Sequence, residues 1–229
     1  MKMYYIFEPV YLSDGQLFAY ECLTRLKKPL SNEADCYEFF FKNATTDFLT
    51  SLAEKQIEFI VNNYHFLSEN SLRATINVDL LSLKAISESG WKSVLDKHPL
   101  INFEVDMIRN FPAKECPVEL LRLYRGRLWL DDVSPENIDF SADVLQEFSF
   151  VKIDKSSFWL AQKSHAELLE LERFHKKMLT MNIMTVAEGV DCLEYKLALE
   201  RSGFFAGQGY YWPALTEQKI RELNAPGRF

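Results

Sequence analysis

Hydrophobic and polar positions along the chain fall into two patterns, short apolar runs and longer stretches with helical spacing. The first two apolar runs, YYIFEPVYL and QLFAYECLTRL, flank the short connection Ser13-Asp14-Gly15. Glycine in so short a connection favours a turn with positive φ, so the two runs are predicted to form an antiparallel hairpin. Apolar residues then recur at helical spacing between residues 44 and 67, which predicts one long helix there.

From that point apolar runs and helical segments alternate to the end of the chain. The predicted strands lie in ATINVDL, INFEVDM, RLWLDDV, SFVKID, IMTVAEGV and FFAGQGYYW. The predicted helices lie in SLKAISESG, CPVELLRLY, SADVLQEF, residues 156–179, CLEYKLALERSG and LTEQKIREL. Alternating strands and helices indicate a parallel sheet. About eight strands in a chain of this length predict an α/β fold, a modified TIM (β/α)8 barrel with an antiparallel first strand, as a single domain over residues 1–229.

The composition of the chain limits which kinds of ligand and binding partner we expect. The 48% hydrophobic content supports a sizeable core, and the formal charge of −7 argues against a general DNA-binding surface. An acidic protein can still bind a phosphodiester when metal ions supply the positive charge. No apolar run approaches the roughly 20 residues of a membrane span, so we expect a cytoplasmic protein without a membrane partner.

Polar residues stand where successive predicted strands end. In a (β/α) barrel the carboxyl ends of the strands meet at one rim, where catalytic groups lie. The predicted rim residues are Glu21, Asn77, Glu104, Asp131, Asp132, Lys152, Asp154, Glu188 and Gln208. Each follows a strongly apolar lead-in, so we expect these side chains to share one cavity.

So many carboxylates in one cavity predict a divalent metal centre. Like charges at short range raise each other's pKa, and bound metal ions relieve that repulsion. Carboxylate and amide oxygens, without thiolate or imidazole, suit Mg²⁺ or Mn²⁺. Asp131 and Asp132 are adjacent and would serve two ions ~3.5–4 Å apart, while Lys152 would orient water or stabilise developing negative charge. The pattern indicates metal-assisted hydrolysis of a phosphodiester.

Each residue also has an ordinary structural interpretation. Glu21 alone would be a solvent-facing strand residue, and the Asp131-Asp132 pair would be a helix cap. Asn77 and Glu104 alone would be strand-end caps. Lys152 alone would be an ion-pair partner, and Gln208 would be a turn residue. The metal interpretation depends on these residues occurring together.

The same residues resemble the EAL-domain cyclic di-GMP phosphodiesterases over essentially the whole chain. Glu21-Cys22-Leu23 stands in place of the Glu-Ala-Leu motif, with Arg25 as the family's arginine. The further matching segments, in order, are INVD, FEVD, LDD, VKIDKSSF, AEGVD and GQGYYW. Each segment alone is a weak signal, but their order and spacing together identify the chain as a member of this family.

The resemblance implies a ligand, a cofactor and residue roles. It implies hydrolysis of cyclic di-GMP to linear pGpG with two Mg²⁺ or Mn²⁺ ions. The implied ligands are Glu21, Asn77, Glu104 and Asp131 for one ion and Asp131, Asp132 and Glu188 for the other. Glu21, Lys152 and Glu188 are the implied catalytic residues, with Lys152 holding the attacking water. The implied substrate-binding residues are Arg25, Asp154, Asp191 and Gln208, with Arg25 on a phosphate.

The chain also departs from the family pattern. The family's Asp-Asp-Phe-Gly-Thr-Gly is Asp-Asp-Val-Ser-Pro-Glu at residues 131–136, and the glutamate that steadies this loop is Met107. Without the glycines and with a proline, the loop is predicted to take another backbone path. Glu8-Pro9-Val10 replaces Gln-Pro-Ile, so we expect a guanine contact of the family to be altered or lost, and WPAL replaces the terminal Gly-Arg-Pro.

These departures leave a second function open. EAL domains pair near the altered loop, so a homodimer would be weaker here or use another surface. The alternative to an enzyme is an inactive regulator that binds cyclic di-GMP or a protein partner. Retention of every implied metal ligand favours the enzyme.

Overall fold

The computed structural model describes residues 3–27, 40, 41, 43–107, 117–138 and 140–225. The predicted domain of residues 1–229 therefore extends beyond the described residues at both ends. Within the described part, the strands are β1 Met3–Leu12, β2 Leu17–Leu26, β3 Arg73–Asn77, β4 Ile101–Val105, β5 Leu128–Val133, β6 Phe150–Ile153, β7 Met184–Ala187, β8 Ala206–Gln208 and β9 Leu215–Thr216.

The sheet closes on itself through the opening hairpin. Strands β2 to β8 are neighbours in chain order and pair in parallel, while β1 pairs antiparallel with both β2 and β8. The result is a closed mixed barrel, which confirms the predicted fold with its antiparallel first strand. The short strand β9 adds to β1 and has no counterpart among the predicted strands.

The helices cover the outside of the barrel. Their bounds are α1 Thr46–Asn62, α2 Tyr64–Glu69, α3 Leu80–Glu88, α4 Trp91–Asp96, α5 Val118–Arg122, α6 Ala142–Leu145, α7 Lys155–Ala161, α8 His165–Thr180, α9 Leu193–Ser202 and α10 Glu217–Asn224. Among the residues that the structure describes, none of these helices is both long and apolar enough to span a bilayer.

Two predicted long helices are each divided in the structure. The helix predicted over residues 44–67 breaks at Asn63, whose side-chain amide donates 2.7 Å to Phe59 O and so competes with the helical backbone. The helix predicted over residues 156–179 breaks before Ser164, whose hydroxyl accepts from Glu167 N and caps α8. Periodicity detected the helical faces, but polar side chains next to the backbone set the ends.

The lower part of the barrel interior is apolar. Trp129 is fully buried there with Val10, Ala19, Phe150, Val186 and Ala206, and Phe18 packs against this cluster. The charged side chains of the rim lie near the carboxyl ends of the strands, above this apolar layer. One polar pair crosses this layer, because Trp129 Nε1 donates to Asn102 Oδ1 at 3.1 Å.

Replacing Asn102 by leucine is expected to destabilise the fold by about 1–3 kcal/mol, because the buried Trp129 N–H then has no acceptor. Chemical denaturation measures this change in the free energy of unfolding. Asn70→Ala is the control, since its amide makes only an exposed bond to Phe66 O. Equal effects of the two substitutions would contradict the assigned role of Asn102.

His175 is a buried titratable group on α8. Its Nδ1 lies 2.6 Å from Thr185 Oγ1 of β7, and burial lowers its pKa below the usual 6.5, with nearby Lys176 as a second cause. The unfolded chain therefore binds more protons than the folded one as the pH falls below 6.5. Wild-type stability is expected to drop through that window relative to His175→Gln, whose amide does not titrate. Parallel denaturation curves at pH 7.5 and below 6 test this, and identical pH dependence would refute it.

Candidate metal centre

Lys152 stands at the centre of the rim. It lies in β6, with only 1% of its side chain exposed, and four carboxylates surround its ammonium group. The distances from Nζ are 2.6 Å to Glu104 Oε2, 2.7 Å to Glu188 Oε1, 3.2 Å to Asp131 Oδ1 and 3.4 Å to Glu21 Oε2. Residues far apart along the chain therefore meet at one point because their strands are neighbours in the barrel.

The carboxylates keep this buried lysine charged. Burial alone would lower the pKa of Lys152, but the charges of Asp131, Glu104, Glu188 and Glu21 outweigh it and raise the pKa well above its usual value. The cluster remains rich in negative charge, since one ammonium faces four carboxylates.

The four carboxylates differ in how well neighbouring groups stabilise their negative charge. Burial would raise the pKa of Glu21, yet Lys152 and the amides of Gln208 and Asn77 lower it. Burial raises the pKa of Glu104 well above the ordinary value, and the charge of Glu21 adds to this effect. Burial likewise raises the pKa of Asp131, and it raises that of Glu188 to about 7. The site therefore favours the ionised form of Glu21. It disfavours the ionised forms of Glu104, Asp131 and Glu188.

Several buried oxygens at this rim lack a hydrogen-bond donor. Among the described residues they include Glu104 Oε1, Asp131 Oδ1 and Gln208 Oε1, although Asp131 Oδ1 lies within ion-pair distance of Lys152. Buried polar atoms without partners are rare in folded proteins. Hard oxygen ligands with excess negative charge fit a divalent cation of the Mg²⁺ or Mn²⁺ class. The residues present thus fit the predicted metal.

The Asp131-Asp132 pair lies at an irregularity in β5. The register between β5 and β6 shifts between Leu130 and Val133, and Asp132 has a φ of 55°. Neighbouring side chains in a regular strand point to opposite faces, and a bulge removes that constraint. The charge of Asp132 contributes to the raised pKa of Asp131, so the two carboxylates act on each other.

Glu21 lies within a strand and not at its end. Strand β2 continues to Leu26, because it still pairs with β1 beyond the last residues it shares with β3. Asn77 Nδ2 donates 2.5 Å to Glu21 Oε1, and Gln208 Nε2 donates 2.6 Å to Glu21 Oε2. The apolar run around Glu21 indicated burial, but only the sheet pairing shows how far the strand extends.

Arg25 lies on the projecting part of β2. Its Nη2 donates to Glu8 Oε1 of β1 at 3.0 Å, and Glu8 Oε2 accepts from Gln208 Nε2 at 3.5 Å. Glu8 is directly opposite Glu21 in the hairpin register, so its side chain belongs to the same face. The sequence marks Glu8 as a departure from the family pattern, and the structure adds it to the polar network.

Asp154 and Asp191 do not contact Lys152 in the described network. Asp154 caps α7, accepting from Ser156 N and Ser157 N, and it also accepts from the Ser157 hydroxyl. Asp191 Oδ1 accepts 2.8 Å from Tyr210 N and so fixes the turn after Gln208. These contacts give both residues a structural role beside the predicted substrate role.

Gly189 holds the chain close to α7 just after Glu188. It has a φ of 76°, and a Cβ atom there would lie 2.6 Å from Lys155 Cβ and 2.7 Å from Trp159 Nε1. Trp159 Nε1 donates to Gly189 O at 2.7 Å. A side chain at this position would collide with Lys155 and Trp159, so glycine is needed here.

The loop after the aspartate pair takes a compact path. Ser134 leads into a 3₁₀ turn at Pro135–Asn137, which proline at its first position favours. Met107 is fully buried in the apolar core and offers this loop no charged anchor. These two departures from the family pattern thus occur in an altered loop and at a buried apolar position just after β4.

Comparison with known proteins agrees with the geometry. The EAL domain family model matches residues 1–214. The cyclic di-GMP phosphodiesterase PdeH of Escherichia coli (strain K12) is 24% identical over 209 residues, covering 90% of this chain and 81% of that protein.

Solved structures share the fold at low sequence identity. The EAL-like domain protein YdiV superposes with a TM-score of 0.78 at 19% identity, covering 96% of this chain and 95% of that one. The PaMucR phosphodiesterase, solved in complex with c-di-GMP, has a TM-score of 0.78 at 16% identity, covering 95% and 94%. Because the EAL domain family model matches nearly the whole of this chain, the chain belongs to the EAL domain family.

Proposed function

We propose that this protein is a cyclic di-GMP phosphodiesterase that hydrolyses cyclic di-GMP to linear pGpG with Mg²⁺ or Mn²⁺. The observation that supports it is the convergence of four carboxylates on Lys152 at the barrel rim, with buried oxygens that have no donor. The similarity to PdeH, a cyclic di-GMP phosphodiesterase, supports the same substrate class. A surface that held only proteins would not need so many unneutralised buried charges.

The proposed metal ligands are Glu21, Asn77, Glu104, Asp131, Asp132 and Glu188. Two divalent ions held there would polarise the phosphodiester and lower the pKa of a bound water. Arg25 suits a substrate phosphate because its planar guanidinium matches phosphate oxygens. Gln208, which contacts Glu21, would orient the rest of the nucleotide, together with Asp191 after β7 and Asp154 at the start of α7.

Lys152 and Glu188 are placed to act on water at the rim. Their 2.7 Å contact joins a charged donor to a carboxylate whose pKa burial raises to about 7. In the hydrolysis, the oxygen of water forms a bond to phosphorus and the bond from phosphorus to O3′ breaks. One proton leaves the water and one is delivered to O3′, which gives a free 3′ hydroxyl and a 5′ phosphate. Lys152 would hold the water, and Glu21 would orient Lys152 through their contact.

A non-catalytic regulator is the second candidate function. The observation that favours it is the altered support of the rim, where Met107 is buried in apolar surroundings and a 3₁₀ turn follows the aspartate pair. Such a protein would bind cyclic di-GMP without turnover or use the barrel to hold a protein partner. The rim carboxylates themselves are all present, so the enzyme remains the principal proposal.

Glu21→Ala is expected to abolish turnover, lowering it by at least about 100-fold, because it removes a metal ligand and the acceptor of the Asn77 and Gln208 amides. The measurement is conversion of cyclic di-GMP to pGpG with Mg²⁺ and with Mn²⁺. Glu88→Ala, on the exposed end of α3, is the control and should retain full activity.

Wild-type results decide between the candidate functions. Binding of the nucleotide without turnover with either metal would replace the enzyme by a receptor. Absence of both binding and turnover would leave a protein partner as the ligand of the barrel. Normal activity of Glu21→Ala would contradict the proposal that the rim is the active site.

Glu104→Gln is expected to raise the melting temperature in EDTA by about 2–5 °C, because it removes a buried negative charge from a strained cluster. The same variant should lose most of the stabilisation by Mn²⁺, which is about 2.7 kcal/mol for the wild type at roughly 100 times Kd. Differential scanning calorimetry with EDTA and with Mn²⁺ measures both effects.

Glu147→Gln is the matched control. Glu147 is also buried, but Arg125 and Arg122 pair with it and lower its pKa. Its neutralisation should therefore reduce stability in EDTA and leave the Mn²⁺ effect unchanged. A Mn²⁺ response that survives Glu104→Gln would contradict the assigned ligand.

A further inference from the structure

We propose that Glu8 sets the affinity of the site for phosphodiesters by holding Arg25 in an ion pair. Glu8 thus acts as a positioning residue that competes with the ligand for the arginine. The inference rests on the proposed function in one respect, namely that Arg25 receives a phosphate of the ligand.

The ion pair is close and partly shielded from water. Arg25 Nη2 lies 3.0 Å from Glu8 Oε1, and the side chains are only 24% and 18% exposed. Charged pairs of this kind are stronger than fully exposed ones, because solvent screens them less. A phosphate that binds Arg25 must displace the carboxylate or share the guanidinium with it.

The hairpin register places Glu8 and Arg25 on the same face of the sheet, where their side chains meet. Glu8 on β1 is directly opposite Glu21 on β2, and Arg25 is four residues further along the same face of β2. Gln208 Nε2 contacts both Glu8 Oε2 and Glu21 Oε2, at 3.5 Å and 2.6 Å. Glu8 is therefore tied to the metal-ligand network on one side and to the phosphate-binding residue on the other.

Like charges directly opposite each other in a hairpin destabilise it. The Glu8–Glu21 pairing is accommodated here because Arg25, Gln208 and Lys152 neutralise or bond the two carboxylates. A neutral amide at position 8 would keep only one acceptor oxygen for Arg25 or Gln208, and it would remove the repulsion between positions 8 and 21. The Glu8 carboxylate thus weakens the binding of an anionic ligand in two ways. It occupies Arg25, and its own charge repels the ligand.

The test begins with Glu8→Gln, which keeps the size of the side chain and removes its charge. Isothermal titration with cyclic di-GMP in EDTA is expected to show binding about tenfold tighter than in the wild type. In steady-state assays with Mn²⁺ the gain should appear in KM more than in kcat. Unchanged binding by Glu8→Gln would contradict the proposal.

Arg25→Met supplies the second arm. If Glu8 acts through Arg25, the effect of Glu8→Gln should fall to about twofold or less in the Arg25→Met background. A full tenfold gain without Arg25 would show that Glu8 only repels the ligand. Weaker binding by Glu8→Gln would show instead that the carboxylate accepts N–H groups of the guanine base. Either result overturns the ion-pair mechanism.

Inorganic phosphate separates this inference from the proposed function. In EDTA, phosphate is expected to raise the melting temperature of Glu8→Gln more than that of the wild type, and Arg25→Met should remove the difference. If cyclic di-GMP is neither bound nor hydrolysed by any variant but this phosphate response occurs, the proposed function fails and the role of Glu8 stands. If the wild type hydrolyses cyclic di-GMP while Glu8→Gln has unchanged KM and phosphate response, only the role of Glu8 fails.

Discussion

The ion cluster around Lys152 imposes the main constraint on this barrel. One buried ammonium faces four carboxylates in the described part of the chain, and this crowding contributes to the raised pKa values of Glu104, Asp131 and Glu188. The fold tolerates this charge because the carboxylates are divided among β2, β4, β5 and the segment after β7. Each strand is held by its own ladder and its own apolar contacts beneath the rim. The hydrogen bonds and packing of the whole closed sheet therefore oppose the repulsion among these carboxylates.

Glu147 and Glu104 are both buried, but the charged groups around them differ. Glu147 is almost fully buried but is paired with Arg122 and Arg125, and these partners lower its pKa. Glu104 is equally buried, but its neighbours include Glu21 and Asp131, and its pKa is raised. The arginine partners favour the ionised form of Glu147, whereas the surroundings of Glu104 disfavour its ionised form.

Much of the fold was predictable because strand and helix periodicities differ and because the opening hairpin sets the direction of β1. Glu21, Glu104, Asp131 and Lys152 were predicted to share a cavity, and the structure brings the three carboxylates within 3.4 Å of Lys152 Nζ. The breaks at Asn63 and Ser164 were not predicted, since hydrophobic spacing continues through them. The hairpin run QLFAYECLTRL included the extension of β2 past Glu21, but the position of Glu21 inside the strand depends on pairing with β1.

The sequence by itself determined the alternation of strands and helices and the identity of the rim residues, because both are written in local patterns of polarity. Tertiary structure decided which of those residues touch. It gave Asp154 and Asp191 backbone partners, placed Lys152 among the carboxylates and set Glu8 against Arg25. Such contacts depend on strand register and barrel closure, and these arise only when distant segments compete for the same hydrogen bonds and the same buried space.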